Sequence, residues 1–285
     1  AVNVNEFSLN AFYRNRLVRC YLGASNAWRN PEPTTNFDVA DDLPLDRLAA
    51  GKPLDGARPL FPLICTALNL VAAKQLDWQD RKAASFCLTP GFCGYLPPAS
   101  RAGAAVVGDT HADIAGTART PRGGEALASS LTLGSAIAIS GAAVNPNMGY
   151  HSSPAVTFLL TLFDARLGWW LPNPSHATRP RSDKAPFFGR WLLAELFGRT
   201  HEGGRDVHLS DGGHFENLGL YELVRRRCRF ILCVDAAADP GRGFADLGNA
   251  VQKCRVDFGV EIRIDTSALR AQADGLALGD LDGDG

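Results

Sequence analysis

Val207-His208-Leu209-Ser210-Asp211-Gly212-Gly213-His214-Phe215-Glu216-Asn217-Leu218-Gly219-Leu220-Tyr221-Glu222-Leu223 opens as an alternating strand. Val207 and Leu209 fall on one face, His208 and Ser210 on the other. Asp211 ends that strand, Gly212 and Gly213 let the backbone bend, and an amphipathic helix begins a few residues later. Asp-Gly-Gly is a good turn in its own right. A carboxylate at a strand end before bendable backbone is also a common way to present a catalytic acid or base, so Asp211 is the first candidate.

Beyond this stretch the pattern continues. Leu220, Leu223, Val224 and Cys228 form a helical stripe. Phe230-Ile231-Leu232-Cys233-Val234-Asp235 is an apolar run of strand length closed by an acid. Leu247, Ala250, Val251 and Cys254 form a second stripe, and Val260, Ile262 and Ile264 alternate as a strand. Strand, helix, strand, helix, strand predicts an α/β fold, a layered and largely parallel sheet with helices on both faces. In such sheets ligands gather at the carboxyl ends of the strands, where Asp211 and Asp235 fall.

Upstream, Tyr13, Leu17, Cys20 and Tyr21 predict a helix over 11–22 that Gly23 can end. Residues 29–60 and 98–126 read as irregular excursions. Leu63 to Ala73 reads as a helix, Ser85 to Leu88 as a strand stopped by Pro90, and the run before Ser140 as an apolar strand. A buried helix follows from Ala155, then a Pro-rich loop over 172–186. A further helix near Phe188 to Phe197 carries Trp191, Leu192, Glu195 and Leu196 at helical offsets.

Composition sets the class. The 285 residues are 46% hydrophobic and 21% charged, which fits a folded protein with a sizeable core. A net charge of -1 gives no electrostatic reason for a nucleic-acid partner. Arg225, Arg226 and Arg227 read as a solvated helix face. The most apolar stretch, Ala155 to Leu171, is interrupted by Asp164 and Arg166 and falls short of a membrane span.

Seven cysteines, most within apolar runs and none in a CxxC pair, support neither a zinc site nor a redox motif. They fit a reducing, intracellular or membrane-associated setting. The chain opens Ala1-Val2-Asn3 and closes Gly279-Asp280-Leu281-Asp282-Gly283-Asp284-Gly285, which reads as a piece of a longer protein.

Asp211-Gly212-Gly213, followed after three residues by Asn217-Leu218 and a helix, resembles the acid block of patatin-like lipid acyl hydrolases. The hydrophobic residue after Asn217 is closest to the branch of cytosolic phospholipases and lysophospholipases. Ser140-Gly141-Ala142-Ala143, with Pro146 shortly after, resembles the Ser-Ala-Ala-Pro block upstream of the acid, and Ile231 to Asp235 resembles the strand after it. Residues 5–23 and 140–264 are similar in wording to large bacterial patatin-related proteins. The resemblance implies that 1–285 is the C-terminal portion of one patatin-like domain.

It also implies a Ser-Asp dyad for ester hydrolysis, with Asp211 as base, Gly212 and Gly213 shaping its turn, and Asn217 fixing the following helix start. The implied substrates are phospholipids or other acyl lipids at a membrane surface, with no metal or organic cofactor. The family's nucleophile sits in Gly-x-Ser-x-Gly, which occurs nowhere in this chain. Ser140 lies in Ala138-Ile139-Ser140-Gly141-Ala142 and lacks the glycine two positions earlier. The expectation is that the nucleophile and oxyanion block precede Ala1. The contrasting expectation is a non-catalytic lipid-binding or scaffold protein that keeps the fold.

Three other stretches carry ligand-like residue patterns. His208, Asp211, His214 and Glu216 could in principle gather a metal, but the six-residue histidine spacing across a turn fits no helical ligand pair, so no metal is expected. Arg122-Gly123-Gly124 could cradle an anion but lacks a strand-to-helix setting. Asp280 to Gly285 matches half a calcium loop and reads as an acidic tail.

Overall fold

The computed structural model describes residues 4–5, 8–48, 60–73, 76–95, 111–113, 131–146, 154–162, 165–176 and 188–265. The Arg122-Gly123-Gly124 stretch, the segment Asn147 to Gly149, most of 98–126, the end of the 172–186 loop and the acidic tail lie outside them. The chain forms two compact units, 1–215 and 216–285.

The first unit is mixed α/β, built on one six-stranded sheet. Its strands are β1 (Ile64–Asn69), β2 (Ala83–Leu88), β3 (Phe92–Gly94), β4 (His111–Asp113), β5 (Trp169–Pro172) and β6 (Asp206–Asp211), in the order β4-β3-β2-β1-β6-β5. Every pairing is antiparallel, which corrects the expected parallel sheet.

The central strand β1 occupies the segment expected to be a helix. Ile64-Cys65-Thr66-Ala67-Leu68-Asn69 shows no alternation because both of its faces are covered, and Thr66 to Asn69 are all buried. A run of this kind does not distinguish strand from helix by period. Strand β2 lies where the sequence put it, and Thr89-Pro90-Gly91-Phe92 turns it into β3, with Thr89 N–H donating to Phe92 O at 3.0 Å.

The reverse correction applies to the run before Ser140. Helices α1 (Asn10–Leu17), α2 (Leu76–Arg81) and α3 (Leu133–Ser140) belong to this unit, and the expected strand is α3. Thr132 caps it by accepting the Ser135 N–H at 3.1 Å. Small residues let α3 lie close to its neighbours: a Cβ at Gly134 would stand 2.3 Å from Val18 Cγ2 of the turn following α1. That turn, Val18–Leu22, is a π-helix, and a 3-10 turn over Gly23–Ser25 prolongs the helical path. Gly23 therefore does not end it, and Cys20 and Tyr21 are exposed rather than part of a buried stripe.

Ala136 and Ile139 of α3 join Leu68, Phe86, Leu88, Leu171, Val207 and Leu209 in the main core, together with Leu45 from the expected excursion. The helix from Ala155 is α4 (Pro154–Leu162), shorter than expected because the chain leaves it for β5. Helix α5 (Phe188–Leu196) covers the opposite face of the sheet, its Trp191 ring 6.4 Å from Trp170. Gly198, at φ +57°, follows as its left-handed stop. Among the described residues no helix is long and apolar enough to cross a membrane.

The second unit holds α6 (Leu220–Arg225) and α7 (Ala245–Phe258). They pack through Tyr221 and Phe258, whose rings lie 4.6 Å apart, and a 2.9 Å bond from Tyr221 Oη to Asp257. Ala250 and Cys254 are buried, as the α7 stripe predicts, while Cys228 falls beyond α6 and is exposed. Arg225 and Arg226 pair with Glu222. The two expected strands do not form. Phe230 to Asp235 and Val260 to Ile264 carry no regular secondary structure, and Phe230, Leu232 and Val234 are 85%, 77% and 74% exposed. Apolar strand sequence becomes a strand only where a neighbour satisfies its backbone.

Candidate functional site

Asp211 stands at the carboxyl end of β6, opposite Thr66 of β1. Its backbone N–H turns away from β1 toward Ala142 O, 3.4 Å away. Its carboxylate caps the 3-10 turn Gly212–His214, Oδ1 accepting the Gly213 N–H at 2.7 Å. The side chain is half-exposed.

Gly212 lies flush on β1: a Cβ there would stand 2.6 Å from the Cys65 carbonyl oxygen, a backbone atom with little freedom to retreat. The glycine is thus required by close approach, while exposed Gly213 supplies the amide that holds Asp211. Asn217 does not bond into the helix start that follows it. Its side chain donates to Asp246 Oδ2 at 2.9 Å at the start of α7. The entry into α6 is held instead by Glu216, whose carboxylate accepts the N–H groups of Leu218 and Tyr221. Glu has the extra methylene needed to reach both amides, and Gly219, at φ +69°, makes the turn between them.

Ser140 ends helix α3, not a strand, so it does not stand on a strand-to-helix elbow. Its hydroxyl donates to Cys65 O at 2.7 Å, the same carbonyl that Gly212 abuts. Ser140 and the Asp211 turn therefore meet on one peptide group of β1.

The other face of β6 carries a polar network that the sequence reading did not foresee. His208 and Ser210 are fully buried. Asn69 Nδ2 lies 3.1 Å from His208 Nδ1 and donates to Ser210 Oγ at 3.0 Å. Ser210 Oγ also lies 2.9 Å from His214 Nδ1. Beneath them, Glu195 of α5 pairs with Arg166 at 2.9 Å and accepts the Trp170 indole N–H at 2.6 Å. Arg166 and Glu195 have no exposed side-chain surface.

With Asn69 donating to Nδ1, His208 carries its proton on Nε2, 3.7 Å from Glu195. That approach is not an ion pair, because burial, then the Arg166 charge and His214, push the His208 pKa down to about 3. A neutral imidazole fits a space already holding a guanidinium. A Cβ at Gly168 would stand 2.6 Å from His208 Nε2 and 2.5 Å from Asn145 Oδ1, so residue 168 is where the backbone makes room for these groups.

Ser210 and His214 resemble two members of a hydrolytic triad, yet the arrangement does not work as one. The Ser210 hydroxyl is sealed from solvent, and strand alternation sends Asp211 to the opposite face. Among the described residues no cluster of three or more His, Cys, Asp or Glu side chains is arranged to hold a metal ion. No family model, curated protein or solved structure matches this chain.

Proposed function

We propose that the Asp211 turn is the acid half of a Ser-Asp acyl hydrolase site acting on phospholipids or other acyl lipids at a membrane surface. The observation that carries this reading is the carboxylate itself: half-exposed at a strand end, one oxygen held by the Gly213 amide, on a turn that Gly212 seats against β1. The resemblance of Asp211-Gly212-Gly213 and Asn217-Leu218 to the patatin acid block adds the chemistry. A serine hydroxyl is a poor nucleophile until a base takes its proton, and Asp211 would take it without a histidine, metal or organic cofactor. The nucleophile is then contributed from outside residues 1–285, since Ser140 donates its proton to a carbonyl.

A second reading, a non-catalytic lipid-binding or scaffold protein, is favoured by the same bond, because a carboxylate that caps a turn has a sufficient structural reason to be there. Asp211→Asn in the protein that contains this chain separates the two. As a catalytic base, Asp211 should be worth on the order of 10²–10⁴-fold in ester turnover, with circular dichroism and melting nearly unchanged because Asn also caps turns. Turnover equal to wild type rules out the dyad role. Absence of turnover in the wild type, with lipid vesicles still bound, supports the scaffold.

A further inference from the structure

The register of the sheet brings Cys65 and Cys87 directly opposite one another on β1 and β2. Leu70 N–H donates to Lys82 O at 2.8 Å, one step past the Asn69–Ala83 pair. Counting back by twos from that bond, Leu68–Ala84, Thr66–Phe86 and Ile64–Leu88 are hydrogen-bonded pairs, and Cys65–Cys87 is a non-hydrogen-bonded one. Two other observations agree. The Cys65 carbonyl faces the β6 side, where it meets Ser140 and Gly212. The Thr89–Phe92 bond likewise sends the backbone groups of Cys87 toward β3.

At non-hydrogen-bonded positions the Cα atoms lie about 4.5 Å apart and the side chains leave the same face. A disulfide spans Cα separations of about 4.4–6.8 Å. The flanking positions of this row are glycines, Gly94 opposite Cys87 and Gly212 one step beyond the Thr66–Asp211 pair, so the positions beside the two cysteines carry no side chain. Cys93 pairs with Leu88 and therefore points to the other face, into the main core.

We propose that Cys65 and Cys87 are a modification site that hydroperoxides convert into a cross-strand disulfide. Cys65 is partly exposed and Cys87 is buried, which assigns the order of events. The Cys65 thiolate attacks one oxygen of hydrogen peroxide; an S–O bond forms, the O–O bond breaks, and hydroxide leaves to take up the thiol proton as water. The Cys87 thiolate then attacks the sulfenyl sulfur; the S–S bond forms, the S–O bond breaks, and the departing hydroxide takes the second proton. Two thiols lose two electrons, and one peroxide becomes two waters.

The test uses the whole chain, reduced and freed of reductant, then treated with a small molar excess of hydrogen peroxide. Remaining thiols are alkylated before unfolding and the digest is read by mass spectrometry. Trypsin cuts after Arg81 and Lys82, between the two cysteines, so the link joins separate peptides. The expected product is the Cys65–Cys87 peptide pair, two hydrogens lighter than its reduced parts. It should be reversed by dithiothreitol, retained in Cys93→Ser and lost in Cys65→Ser. A Cys65 thiol left intact, oxidised only to sulfinic acid, or linked as readily to Cys93 overturns the proposal. Wild type and Cys93→Ser alone decide it if the other variant does not fold.

Discussion

His208 makes the stability of the first unit depend on acid in a calculable way. Its pKa is about 3 in the folded chain and about 6.5 when exposed. Between those values the unfolded chain binds a proton that the folded chain refuses, so stability is full above about pH 6.5 and falls as pH drops. The slope is about 1.4 kcal/mol per pH unit, and between about pH 6 and pH 4 the loss is roughly 2.5 kcal/mol from this one ring.

Carboxylates that titrate in the same range contribute their own slope, so the difference between two proteins is what must be measured. Gln at 208 keeps a hydrogen-bonding group toward Asn69 and does not titrate. Urea unfolding of wild type and His208→Gln at several pH values should show wild type losing roughly 2.5 kcal/mol more than the variant between about pH 6 and pH 4, whatever their offset at neutrality. Parallel pH dependences would show that the ring takes up its proton in the fold, contrary to its burial beside Arg166.

Two other substitutions probe the same framework. Glu195→Ala leaves the Arg166 guanidinium buried without its partner and should cost about 3–5 kcal/mol by denaturant titration; a loss below about 1 kcal/mol would mean that water reaches the pair. Gly212→Ala drives a methyl into the Cys65 carbonyl and should cost about 1–3 kcal/mol, read as a lower melting temperature. An unchanged melt would show that the turn can lift off β1.

The elements legible in the sequence are those whose pattern is set locally. β6 alternates, α7 carries a stripe ending at Gly259, and β2 stops at Pro90. The helix and strand assignments of 64–69 and 133–140 are interchanged because neither run has a clear period. β1 is covered on both sides and α3 is built of small residues that contact several neighbours. A local clue to α3 was present, since Thr132 stands three residues before Ser135 as a cap. The expected strands 230–235 and 260–264 show the opposite limit: their pattern is sound, but a strand is a property of a pair.

The same distinction holds at the site. The Asp211 turn is local, whereas Glu216 and Asn217 are adjacent polar residues, and only the fold decides that the longer, anionic Glu216 takes the amides at the start of α6 while Asn217 donates to Asp246. The network of Asn69, Arg166, Glu195, His208 and Ser210 is assembled from four segments, and alternation alone does not tell whether the His208 face of the strand is covered, because its covering partners are remote. Asn69 and Arg166 inside apolar runs were the available signal, since polar groups in such places must be satisfied.

The Cys65 carbonyl has one more consequence. It holds the Ser140 hydroxyl and bears the closest approach of Gly212, yet it belongs to the main chain and is the same whatever side chain position 65 carries. Selection can therefore act on residue 65 almost independently of the junction built upon it, while residues 140 and 212 are tied to that junction directly. In a saturation library, positions 140 and 212 should be narrow and position 65 comparatively broad, with Ala and Ser accepted there. The thiol of Cys65 is then a removable attachment on a fixed joint.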